Sequence, residues 1–138
     1  MYRATVWSQA GMRIVVMDSM SQVEDDDAGA IVVAASNGGQ ESGRFGAAAR
    51  CGFVLLNDAG VGKDDAGIAG LAILNEAGIP AAAVGHHTAE ISNGLDMWEH
   101  GVISYVNTAA QAAGVAPGAL ARPTLIAFAH ARIVETST

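Results

Sequence analysis

The sequence predicts an α/β domain built on a central, mainly parallel sheet, and three observations lead there. Short apolar runs bounded by polar turns, such as Ala30-Ile31-Val32-Val33-Ala34-Ala35, read as strands buried on both faces. Helical patterns fall between those runs, the alternation that marks βαβ units. Stop signals such as Gly78 and Pro80 separate one element from the next.

Taken in order, Ala4 to Ser8 pairs with Arg13 to Asp18 as a hairpin across Gln9-Ala10-Gly11-Met12. The acidic run Glu24-Asp25-Asp26-Asp27 follows as a solvated loop. Central strands then fall at Ala30 to Ala35, Gly52 to Leu56 and Pro80 to Val84. The first crossover helix, Glu41 to Arg50, is weakened by Gly43 and Gly46, at about 1 kcal/mol each relative to alanine. The second is capped by Asp64 or Asp65, aligns Ile68, Leu71, Ala72 and Asn75, and ends at Gly78. Residues 92 to 100 and 102 to 113 read as further helices. In the latter, Val102, Ile103, Val106, Ala109, Ala110 and Ala113 make one apolar stripe. Thr124 to Ala129 reads as a terminal strand. Flanking helices and added terminal strands thus surround the sheet, with a flavodoxin-like three-layer sandwich as the alternative arrangement.

Size and composition bound the function. The 138 residues make a single domain, 1–138, able to bury about 70% of its unfolded surface. Hydrophobic residues make up 51% and charged residues 15%, a balance opposite to that of a disordered chain. The net charge of −7 argues against a broad nucleic-acid-binding face. The single cysteine, Cys51, excludes an intramolecular disulfide framework and reads as a small buried hydrophobe. The opening residues Met1 to Gln9 lack the apolar core of a signal peptide, and no apolar run reaches the roughly 18 residues of a membrane span. A cytoplasmic protein without a membrane partner is expected. Ala-rich helices with apolar faces suggest a homo-oligomer rather than a monomer.

In a parallel sheet, ligands bind outside the carboxyl ends of the strands. There the chain carries Asp18-Ser19, Ser36-Asn37-Gly38-Gly39, Asn57-Asp58 and Gly85-His86-His87, whereas the opposite turns are short and poor in reactive groups. The loop from Ser36 to Arg44 is glycine-rich and enters a helix, so Ser36, Asn37, Gly38, Gly39, Ser42 and Arg44 are candidate anion binders, with Asn57 beside them. Lys63 is the only lysine, flanked by Gly62 and Asp64. It is not in a P-loop: Asn57 stands where that motif needs glycine, and Asp64 where it needs Ser or Thr. A lysine on a flexible glycine loop binds an anion or acts as a base or nucleophile. Asp58, at a strand end, is the better candidate carboxylate than the capping Asp64 and Asp65. Strand alternation aims His86 and His87 in different directions, so one of them would face a common site and shuttle protons. His87 and Glu90 could meet as metal ligands, yet neither His-Glu-x-x-His nor paired cysteines occur, and no metal site is assigned. Ser36 and Ser42 lie outside the Gly-x-Ser-x-Gly pattern of a nucleophile elbow.

The combination of Ala30-Ile31-Val32-Val33, the loop from Ser36 to Gly43 and Ala77-Gly78-Ile79-Pro80-Ala81 resembles swivelling β/β/α domains. These include the small-subunit-like domains of aconitase-type dehydratases and protease-associated domains. The resemblance covers residues 28 to 87 and implies a fold, not an activity. The functional expectation is a small enzyme acting on an anionic metabolite by hydrolysis, elimination or isomerisation. Asp58 and one of His86 or His87 would handle protons, while Lys63 and the Ser36 to Arg44 loop bind charge. No cofactor is specified. The alternatives are a noncatalytic ligand-binding domain, a subunit of a larger enzyme, or a structural oligomer-forming domain.

Overall fold

In the computed structural model, which describes residues 1–137, the chain is α/β with one six-stranded mixed sheet whose strands follow in chain order. The strands are β1 (Arg3–Gln9), β2 (Met12–Met17), β3 (Ile31–Asn37), β4 (Phe53–Asn57), β5 (Ala81–Val84) and β6 (Ile103–Val106). Strands β2 to β5 pair in parallel, while the edge strands β1 and β6 run antiparallel to their neighbours. The helices are α1 (Gln40–Ala48), α2 (Ala69–Glu76), α3 (Gly94–His100), α4 (Thr108–Ala112) and α5 (Ala121–Thr136). A flavodoxin-like sheet reverses its strand order and opens a crevice at the reversal. Sequential order provides no such point.

Side-chain alternation along the strands divides the core into two halves. Ile14, Val16, Ile31, Val33, Phe53 and Leu55 pack with Met97 and Trp98 of α3 and with Leu125 and Phe128 of α5. The intervening residues Val15, Val32, Val54 and Leu56 face the other way, against Leu71 and Leu74 of α2. Both faces are covered, which is why these strands read as continuous apolar runs.

Two glycines that weaken their helices serve this packing. A Cβ on Gly43 would lie 2.7 Å from the Gly70 Cα, and one on Gly70 would strike the Gly39 carbonyl. Helices α1 and α2 therefore touch backbone to backbone, and the lost helix propensity is exchanged for close approach.

The fold departs from four expectations. Thr124 to Ala129 is helical within α5, not a strand: Ala121, Leu125, Phe128 and Ala129 are buried at helical spacing over a longer stretch than the β-prone run alone. Pro123 is tolerated because first-turn amides lack intrahelical partners. The 102 to 113 stretch is not one helix but β6 followed by α4, broken by Asn107. Asn107 Oδ1 accepts from Ala81 N and Ala110 N, while its amide donates to Leu71 O and Ile79 O, so one buried side chain caps α4 and ties it to β5. β-branched and aromatic Ile103, Tyr105 and Val106 then suit an edge strand. Asp64 and Asp65 do not cap α2, because both have left-handed φ values (55° and 58°) and α2 starts later, after Ile68. The acidic run is also only partly solvated: Asp27 is fully buried, accepting two 2.9 Å bonds from the Arg3 guanidinium. Burial pushes its carboxyl upward, but the Arg3 bonds and the Glu24 N–H outweigh that and hold it below the ordinary range.

Gly70→Ala is expected to destabilise the protein by about 1–3 kcal/mol, because the new methyl meets backbone that cannot move aside. Urea unfolding checks this, with Ala substituted at the exposed Glu76 of the same helix as the control.

Candidate functional site

The carboxyl ends of β2 to β5 and the start of β6 form one edge of the sheet. Near its middle, Asn57 ends β4 fully buried; its Oδ1 accepts from Ala59 N and its Nδ2 donates to Ala89 O, both at 2.9 Å. Asn57 is thus spent on holding two loops rather than left open for a ligand.

Asp58 follows, with its carboxylate drawn into the space between β4, β5 and β6. Oδ1 accepts from Gly60 N at 2.8 Å and His86 N at 3.0 Å, and Oδ2 accepts from Ser104 Oγ at 2.7 Å. The His86 Nδ1 lies 3.5 Å from the same Oδ1. Burial alone would push the Asp58 carboxyl up. The Gly60 N–H, the Ser104 hydroxyl, the His86 N–H and the imidazole together outweigh it and hold the group below its ordinary range. Asp58 is therefore an anion at neutral pH, suited to accepting hydrogen bonds rather than to donating a proton.

His86 remains open: 56% of its side chain is accessible. Strand alternation does not separate the two histidines, because both lie in the turn beyond β5. Their rings meet edge to face with centroids 5.4 Å apart. Ser104 is the partner that sequence reasoning missed. Reading residues 102 to 113 as helix removed it from the sheet edge, and only the β-prone Val102-Ile103-Ser104-Tyr105-Val106 run signalled otherwise.

The chain leaves Asp58 through consecutive left-handed residues, Ala59 (52°), Gly60 (78°), Val61 (67°) and Gly62 (71°). A β-branched residue at such a φ is an outlier, and outliers of this kind cluster at ligand sites and switches. Hydrogen bonds from Val61 N to Asp58 O and from Gly67 N to Val61 O, both 2.7 Å, fix the turn. Lys63 emerges from it exposed and, among the described residues, without a hydrogen-bond or ion-pair partner.

The glycine-rich loop behaves differently from a phosphate cradle. Gly38 N is spent on Asn57 O and Gly39 N on Asn37 Oδ1. Arg44 lies on the exposed side of α1, bonded to Gln40 Oε1 at 3.2 Å. Ser36, Asn37 and Ser42 instead line a cleft of about 320 Å³ at the ends of β2 and β3, together with Asp18 and Glu41. Asp58, His86 and Lys63 do not line it. The candidates therefore divide into an Asp58, His86 and His87 group with Lys63 on the adjoining loop, and a Ser36, Asn37 and Ser42 group in the cleft.

Among the described residues no three His, Cys, Asp or Glu side chains gather as a metal site. Likewise, no helix is long and apolar enough to cross a membrane. Compared with known protein families, curated proteins and solved structures, the chain matches none.

Because the folded-state carboxyl of Asp58 titrates below its unfolded value, its contribution to stability is present above that unfolded value, near pH 4, and lost as pH falls through the folded one. Asp58→Asn is expected to cost about 1–3 kcal/mol at pH 7 and to flatten the loss of stability below about pH 4. Urea denaturation from pH 7 to pH 2.5 on both proteins measures the difference.

Proposed function

We propose that the protein is a small enzyme in which His86, oriented by Asp58, moves protons on an anionic metabolite. The observation that carries this is a buried carboxylate held anionic by three protein donors, 3.5 Å from the Nδ1 of an imidazole that is otherwise open. Such pairing turns the remaining ring nitrogen toward incoming groups as an acid or base. Ser104 does not serve as a nucleophile in this scheme, because its hydroxyl donates to Asp58 and not to a histidine. Lys63 supplies the cation that draws an anion, and His87 adds a second ring beside the first. Hydrolysis, elimination and isomerisation all fit a site that handles protons.

A second reading, a noncatalytic ligand-binding domain or subunit, is favoured by the saturation of Asp58: the bonds from His86 N and Ser104 Oγ also serve to knit β4, β5 and β6 together. A purely structural, oligomer-forming domain is its simplest form. We also read the fold as of the swivelling β/β/α kind, on the Ser36 to Gly43 loop and the Gly78-Ile79-Pro80 turn into β5. A homo-oligomer fits the exposed Leu120 and Val134. A cytoplasmic setting fits the single cysteine, buried with its thiol pushed up to about 11 by burial.

A thermal-shift panel of inorganic phosphate, citrate and short carboxylic acids tests the leading reading. A binding anion at about 100 times its Kd is expected to raise the wild-type Tm by several degrees. Lys63→Ala should abolish that rise. Equal rises in both proteins would remove Lys63, and no rise for any anion would leave the noncatalytic reading in place.

A further inference from the structure

We propose that the cleft between the ends of β2 and β3 is a separate binding site for an uncharged or cationic hydroxyl-rich ligand, a saccharide of monosaccharide size. This inference does not depend on the proton-handling reading, because Asp58, His86 and Lys63 lie outside the cleft.

Asp18 and Glu41 both line the cleft, and no Lys, Arg or His does. The Asp18 carboxyl is held below its ordinary range by the N–H groups of Gly94 and Tyr2, so it stays ionised at neutral pH. An anion entering here would be brought against two carboxylates with no cation to offset them. The anion-cradle expectation for Ser36, Asn37 and Ser42 thus gives way to the opposite preference at this position.

The hydrogen-bonding groups are mixed in sense, as a polyol requires. The Ser36 hydroxyl accepts from Met20 N at 2.8 Å, and its own proton is left to donate. The Oγ of Ser42, a residue 7% exposed, donates to Asn37 O at 2.7 Å, and its lone pairs are left to accept. Asn37 Oδ1 accepts from Gly39 N, and the Asn37 amide NH₂ remains to donate. A carboxylate such as that of Glu41 accepts from two neighbouring hydroxyls at once. An apolar ligand would leave these groups unpaired at a cost, whereas hydroxyls, each both donor and acceptor, satisfy both kinds.

Shape and surface complete the match. Phe45 and Ile91, 39% and 41% exposed, bound the cleft with apolar surface. The negative face of an aromatic ring suits the C–H-bearing face of a sugar ring. The volume of about 320 Å³ lies at the small end of ligand pockets, suited to one ring and not to a chain of them.

The test is a two-dimensional NMR titration of the labelled wild-type chain with glucose, glucosamine, inositol, inorganic phosphate and citrate. At least one of the three hydroxylated probes is expected to shift the amides of Ser36, Asn37 and Ser42 with a Kd of about 1–10 mM, while phosphate and citrate leave them in place. Phe45→Ala should weaken that binding by at least about fivefold, and His86→Ala should leave it unchanged. Because Phe45 is partly exposed, its variant is checked for a wild-type amide spectrum outside the cleft, and Glu41→Gln serves as the second variant, expected to weaken the same binding. No shift with any hydroxylated probe, shifts of the same amides by phosphate or citrate, or undiminished binding in both variants would overturn the proposal.

Discussion

One carboxylate ties together β4, β5 and β6 at the edge of the sheet where the Asp58, His86 and His87 group lies. Asp58 begins where β4 ends, accepts from the turn after β5 through His86 N, and reaches β6 through Ser104 Oγ. Its third donor, Gly60 N, sets the direction in which the left-handed loop departs toward Lys63. A buried carboxylate without such donors would be expensive. With them it becomes a fixed negative charge, and the ring of His86 is the open partner beside it. The fold at this end and the chemistry proposed for it therefore rest on the same hydrogen bonds.

The edge is also electrically divided. At the β2 and β3 ends, Asp18 and Glu41 face a cleft without cations. At the β4 and β5 ends, the exposed imidazole of His86 lies 3.5 Å from one buried carboxylate, His87 meets that ring edge to face, and Lys63, without a partner among the described residues, sits exposed on the adjoining loop. Asn37 pairs with Asn57 across β3 and β4, so the two regions sit side by side on adjacent strands without sharing lining residues. A net charge of −7 describes neither region. It averages over an acidic cleft and a loop whose single lysine has no partner among the described residues.

The central strands were legible in the sequence because full burial on both faces leaves an uninterrupted apolar run, as in Ile31 to Ala35 and Phe53 to Leu56. The N-terminal hairpin was legible from Ala10-Gly11, both left-handed in the turn. The C-terminal third was harder for a physical reason: its short runs fit either period. Val102 to Ala113 satisfies a helical stripe, yet the demand of β5 for an edge partner and of buried Asn107 for four hydrogen bonds divides it. Thr124 to Ala129 is rich in β-prone residues, and only the burial of Ala121 on the same face reveals the helix. In the site, position at a strand end singled out Asp58 and His86 as candidates, and the fold sets their carboxylate and ring 3.5 Å apart. What the sequence could not show was which groups fold spends on itself. Gly38, Gly39 and Asn57 have the right chemistry for a ligand, but their amide groups are engaged within the protein, and Arg44 lies away from the cleft on the exposed side of α1.

The central claim is that Asp58 fixes the imidazole of His86 for proton transfer. It is tested most directly by the ring tautomer of neutral His86, read from long-range ¹⁵N–¹H correlations of the imidazole. With the Asp58 carboxylate facing Nδ1, the proton is predicted on Nδ1 in the wild type and on Nε2, the form favoured in free histidine, in Asp58→Asn. A wild-type ring carrying its proton on Nε2, unchanged by Asp58→Asn, would contradict the account.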